Sequence, residues 1–90
     1  EKFPMLELAY SALRRGGAAP LVYNAANEIA VEAFIAGKIP FPGIWDVVQR
    51  TLESRDWPSA VASSEAVIET DKHARESSRN FVVYPSGDAK

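Results

Sequence analysis

The chain has 90 residues, 47% apolar and 24% charged, which suits one modest hydrophobic core and argues against disorder. Ten Lys and Arg against twelve Asp and Glu leave a formal charge of −2, a poor basis for gripping a phosphate backbone. With no cysteine and a single histidine, His73, disulfides, thiolate chemistry and a multi-histidine zinc site are excluded. No apolar run approaches the roughly 18–20 residues of a membrane span, and the composition reads as soluble, globular and intracellular.

From Met5 to Arg15, apolar residues at 5, 6, 8, 9, 12 and 13 follow helical spacing, with Glu7, Ser11, Arg14 and Arg15 on the wet side. Pro4 suits a first turn, and Gly16-Gly17 supplies the stop. A second helix runs from about Pro20 to Ala36, with Gly37 after it. Its polar residues are only Asn24, Asn27, Glu28 and Glu32, confined to an arc of about 140°. So apolar a helix is expected at the centre of the domain, surrounded on most sides. The stretch from Gly37 to Gly43 holds two prolines and two glycines and breaks the helix. Ile44, Val47, Val48, Thr51 and Leu52 then mark a third helix, with Asp46 and Arg50 paired four apart on its outer side.

Residues 54–63, with Trp57-Pro58, read as a loop. A last helix begins near Ser63 or Ser64, or restarts at Thr70 or Asp71, all competent caps, and continues to about Asn80. Its expected apolar stripe is Val67, Ile68, Ala74, Phe81 and Val82. Residues 81–84 are ambiguous between a last turn and an extended tail. The expected architecture is all-α: a bundle of three to four helices with short Gly/Pro loops, one domain over residues 1–84 and a flexible tail at 85–90.

Asn24-Ala25-Ala26-Asn27-Glu28 is the most unusual local feature, because two amides and a carboxylate sit on an oily helix. Asn24 and Glu28, four apart, could hold a ligand or a metal-bound water. The structural reading outweighs it: buried amides must be hydrogen-bonded. At least one amide is expected to be desolvated and to bond the backbone of residues 38–43 or a neighbouring domain, so Asn27→Leu should cost about 1–3 kcal/mol through stranded partners. His73 reads as a surface residue, with no Ser or Asp at triad spacing. Arg14-Arg15 read as partners of a helix dipole, and Trp45 and Trp57 as core or core-edge residues. A helix-turn-helix is disfavoured because Asp46 and Glu53 oppose a single Arg50 on the would-be recognition helix.

Phe3-Pro4 with Leu6, Leu8 and Ala9, then Gly16-Gly17, then Asn24 to Glu28 with Ala30-Val31 and Ala33-Phe34, make an ordered series. Gly37-Lys38-Ile39, Phe41 and Ile44, and later Asp71, Ala74 and Arg75, continue it. The series resembles the C-terminal domain of 1-deoxy-D-xylulose 5-phosphate reductoisomerase from about Phe3 to Arg75. Two departures stand out: Pro42-Gly43 replaces a pair that is often polar and helix-capping, and the tail after Arg79 matches no family pattern.

The resemblance implies an oxidoreductase and isomerase of non-mevalonate isoprenoid biosynthesis. Such an enzyme rearranges 1-deoxy-D-xylulose 5-phosphate and reduces the resulting aldehyde with NADPH, giving 2-C-methyl-D-erythritol 4-phosphate, with Mg or Mn as the divalent cation. It implies that NADPH sits on an N-terminal Rossmann-like domain and the metal on a central catalytic domain. This segment would be a helical support packed on that central domain in a homodimer, in a bacterial cytoplasm or a plastid-type organelle. No catalytic, cofactor-binding or metal-binding residue carries over, and the segment alone is expected to be inactive. Asn24, Asn27, Glu28, Asp71 and Arg75 remain as structural or interface candidates. The alternative is a non-enzymatic module that binds a partner through helices 1 and 3. Glu1-Lys2 entering Phe3-Pro4 without an initiator methionine suggests a chain cut from something longer.

Overall fold

The computed structural model describes residues 4–83, so the ambiguity at Tyr84, the expected tail at 85–90 and Phe3 lie outside the described residues. Four helices follow one another: α1 (Pro4–Arg15), α2 (Ala19–Ile35), α3 (Gly43–Glu53) and α4 (Ser64–Val83). No strand occurs among the described residues, and the all-α expectation stands. Nor is any described helix long and apolar enough to cross a membrane.

α2 packs against all three other helices, as its composition predicts. Its inner side carries Ala19, Val22, Ala26, Ala30 and Ala33, all buried. The core is made of small side chains: alanines are more than half of the buried apolar residues, and the largest side chains fully buried are Val22, Val48, Thr51 and Ser78. Small residues let the helix backbones approach closely, and close-packed interiors leave little slack.

Local chemistry sets the helix ends. α2 stops at a left-handed Gly37 (φ +79°). There the Lys38 N–H donates to the Ala33 carbonyl at 2.8 Å and the Gly37 N–H to that of Phe34 at 3.0 Å, a paired closure that satisfies two terminal carbonyls. At its start, Ala18 offers no capping side chain. Its own N–H donates instead to the Pro58 carbonyl at 2.9 Å, which fastens the 54–63 loop under the helix. α3 begins at Gly43 behind Pro42, despite the departure from the family pattern. The turn at 40–44 takes up the N–H groups of Gly43 and Ile44 through the carbonyls of Pro40 and Phe41. α4 begins at Ser64, not at Thr70 or Asp71, because the Ser63 hydroxyl accepts the Ala66 N–H at 3.0 Å, a side-chain cap on the first turn.

The expected stripe of α4 holds at Ala74, Phe81 and Val82 and needs correction at Val67 and Ile68. Val67 and Ile68 are exposed, and the packed line is Thr70, Ala74, Ser78 and Val82, each four residues apart. Two facing hydroxyls, Ser78 on α4 and Thr51 on α3, fit there because both are satisfied. Ser78 donates to the Ala74 carbonyl at 2.6 Å, while Thr51 donates to that of Val47 at 2.8 Å and lies 3.3 Å from Ser78. Buried hydroxyls with partners behave as small packing groups. The helix then runs on to Val83, past the expected end at Asn80.

Candidate functional site

Three of the five residues singled out from the sequence meet. Arg75 on α4 donates from Nη2 to Glu28 Oε1 on α2 at 2.7 Å and from Nε to Asp71 Oδ2 at 2.8 Å. Asp71 and Arg75 are one helical turn apart, so the carboxylate orients the guanidinium towards α2. Hydrogen bonds to Asp71 first, and then to Glu28, raise the proton affinity of Arg75 further. One cation held by two carboxylates is a lock between helices.

For Asn24 and Asn27, the expected bond to the 38–43 backbone is corrected, while the other expected partner, a neighbouring domain, lies beyond this chain. Asn24 is exposed and Asn27 half-buried, and no side-chain hydrogen bond from either is found among the described residues. The backbone of residues 38–43 does not receive them. The reason lies in the cover of α2: among the described residues, α1, α3 and α4 enclose one side of it and leave Asn24 uncovered and Asn27 half-covered. The sequence shows how apolar that helix is, but not where its neighbours stop.

Other features carry little chemistry. His73 is half-buried beside Trp57 and Thr70, and among the described residues no group of three or more His, Asp or Glu could hold a metal ion. A groove of about 300 Å³ between α2 and α4 is floored by Ile29, Ala33 and Val82 and edged by Glu32, Lys38 and Arg79. Trp57 sits at the core edge, its indole N–H on the Thr51 carbonyl at 3.0 Å and the Arg55 guanidinium over its ring. Tyr23 ties α2 to α1 by donating to the Met5 carbonyl at 3.2 Å, and burial pushes its ionisation up.

Two apolar surfaces remain exposed, the first on a helix that the sequence offered as a partner face and the second without a sequence signal. Leu6, Tyr10 and Leu13 stand exposed on α1. Six apolar positions on so short a helix span more than one face, which was the available signal. Phe34, Phe41 and Trp45 form an edge-to-face chain, with ring centroids 5.7 and 5.3 Å apart. No periodicity links residues on two helices and the loop between them.

Comparison with known proteins points one way. A family model described as the DXP reductoisomerase C-terminal domain matches residues 1–77. The chain is 48% identical over 82 residues to the 1-deoxy-D-xylulose 5-phosphate reductoisomerase of Geobacter metallireducens, covering 91% of this chain and 21% of that protein. It is likewise 48% identical over 82 residues to that of Nitrosomonas eutropha (91% and 20%). The figure for Acinetobacter baumannii strain SDF is 46% over 84 residues (93% and 21%). The chain therefore spans about a fifth of the length of the relatives it matches.

Proposed function

Because this chain belongs to the DXP reductoisomerase C-terminal domain family, we propose that it is the helical support of a full-length reductoisomerase. That enzyme converts 1-deoxy-D-xylulose 5-phosphate to 2-C-methyl-D-erythritol 4-phosphate with NADPH and Mg or Mn, within isoprenoid biosynthesis. In this reading the domain packs on the central catalytic domain of its own chain, in a homodimer. The bacterial relatives favour a cytoplasmic setting. Family membership does not favour the alternative of a non-enzymatic interaction module.

The residues present do not fit the nicotinamide or the metal. Among the described residues there is no strand leading into a glycine-rich turn, as a dinucleotide site needs, and no convergent set of oxygen ligands. No catalytic step is assigned to this chain.

The observation that carries the reading is the use made of Glu28, Asp71 and Arg75. They join α2 to α4, which is structural work. In the full-length enzyme, Glu28→Gln and Arg75→Met are expected to lower the unfolding midpoint while kcat and KM for the folded fraction stay within about twofold. A fall in kcat of about a hundredfold at an unchanged midpoint would assign these residues to the reaction. Calorimetry of the 90-residue chain with NADPH and magnesium is expected to give no saturable heat; a saturable isotherm would overturn the assignment.

A further inference from the structure

We propose that the outward strip of α2, from Asn24 through Asn27 and Val31 to Ile35, is the face on which the preceding part of the full-length polypeptide packs. In this packing the two side-chain amides pair with main-chain groups of that part. The proposal rests on the support reading above and names the surface through which support is given.

The placement follows from the helix. At about 100° per residue, the four positions fall within an arc of about 80°, opposite the buried side. Ile35 there is 77% exposed and Asn24 is exposed, while Asn27 and Val31 are half-buried, Val31 resting against the edge of the core. A helix side that faces water carries charge, as α3 does with Asp46, Arg50 and Glu53 and as α4 does with Glu65, Glu69 and Lys72. The strip carries none. Its nearest carboxylate, Glu28, is held by Arg75 on the α4 side. Tyr23, one turn before Asn27, fixes α1 alongside through the Met5 carbonyl.

The amides define the occupant. Each offers two N–H donors and a carbonyl acceptor, and neither has a hydrogen-bond partner among the described residues. Set among aliphatic groups, they match a surface that is apolar and also presents unpaired backbone N–H and C=O groups, such as a sheet edge or an ordered loop. An occupant on the same polypeptide is at hand, because about four-fifths of each relative lies outside the matched segment. Tethering gives it a local concentration in the millimolar range, which a free second copy cannot rival at ordinary protein concentrations. Of the other exposed apolar groups, Ile68 is ringed by Glu65, Glu69, Lys72 and His73, Phe41 already lies between Phe34 and Trp45, and Leu6, Tyr10 and Leu13 form a separate patch on α1 that offers no amide to a backbone.

The test uses the full-length enzyme with its other cysteines replaced, carrying either Ile35→Cys or Ile68→Cys, and measures maleimide labelling. Labelling of a covered thiol waits on local opening, so Ile35→Cys is expected to react at least about tenfold more slowly than Ile68→Cys in the native enzyme. The two should react equally in urea, and the ratio should not depend on protein concentration. Radical footprinting of the unsubstituted enzyme, read at Ile35 and Ile68, makes the same comparison without a substitution. Equal native rates would overturn the proposal. Slowing that grows with concentration would also overturn it, placing a second copy on the strip. Protection at Ile68 alone would refute the strip but leave the support reading intact. Full turnover by an enzyme lacking residues 1–90 would defeat the support reading itself.

Discussion

Replacing Gly17 with alanine places a Cβ 2.5 Å from the Ser59 carbonyl oxygen and 2.7 Å from that of Pro58. Both are backbone atoms, so no side chain can swing aside. Gly17 also sits at φ +57°, where an L side chain costs about 1–2 kcal/mol. Relief of the collision requires the 58–59 backbone to move out, and the same Pro58 carbonyl accepts the N–H of Ala18, a residue with no exposed surface. Stranding that N–H adds about 1–3 kcal/mol. Gly37 isolates the first contribution: its φ is +79°, yet a Cβ there meets nothing within 4 Å. Gly37→Ala should therefore cost about 1–2 kcal/mol and Gly17→Ala about 2–5 kcal/mol. Urea unfolding followed by far-UV circular dichroism, with both variants beside the parent, reads the difference. Equal midpoint shifts would show that the loop yields freely and that its bond to α2 contributes nothing.

Arg75→Met should destabilise the domain by about 0.5–1 kcal/mol, because both ion pairs are partly exposed; the loss measured by denaturation should shrink in 1 M salt, at a Debye length of about 3 Å, and a salt-independent loss would point to packing instead. Asn27→Leu should leave the 90-residue chain within about 0.5 kcal/mol of the parent, in place of the 1–3 kcal/mol expected from sequence, because no partner is stranded; a midpoint loss above that range would reveal one. For Tyr23, burial raises the folded ionisation above the unfolded value near 10. The stability this gives is complete below about pH 10 and is lost as pH rises through the folded value. Tyr23→Phe should cost about 0.5–1.5 kcal/mol at pH 8 and show a shallower decline by pH 11, whereas parallel urea midpoints at the two pH values would exclude Tyr23 as the source.

α2 was legible because its signals agree: Pro20 near the start, Gly37 past the end and aliphatic residues between. α4 was legible only in outline. Thr70 and Ser78 face the core as hydroxyls, and a polarity pattern assigns hydroxyls to water, so the stripe was sought at Val67 and Ile68. What makes Ser78 a core residue is a carbonyl one turn back and a neighbour on α3, neither of which is a property of local sequence. The candidate site divides in the same way. Asp71 and Arg75 announce themselves by spacing, whereas Glu28 joins them across 47 residues, a distance no periodicity spans. The amides were noticed for their contrast with the helix around them. Their open side depends on where α1, α3 and α4 end.

The alanine-rich interior makes the domain's tolerance of mutation lopsided. In a core of large side chains, truncation is the damaging change, because it leaves a cavity. Here Ala25, Ala26 and Ala30 have no exposed surface and almost no volume to lose, so the damaging direction is growth. Each added methylene must push a neighbouring helix backbone, at about 1–3 kcal/mol per overpacked site. Drift at these positions is consequently coupled. An alanine can enlarge only when a facing residue shrinks, or when two helices separate together, which confines viable sequences to paired exchanges such as Val for Ala on α2 with Ala for Val on α3.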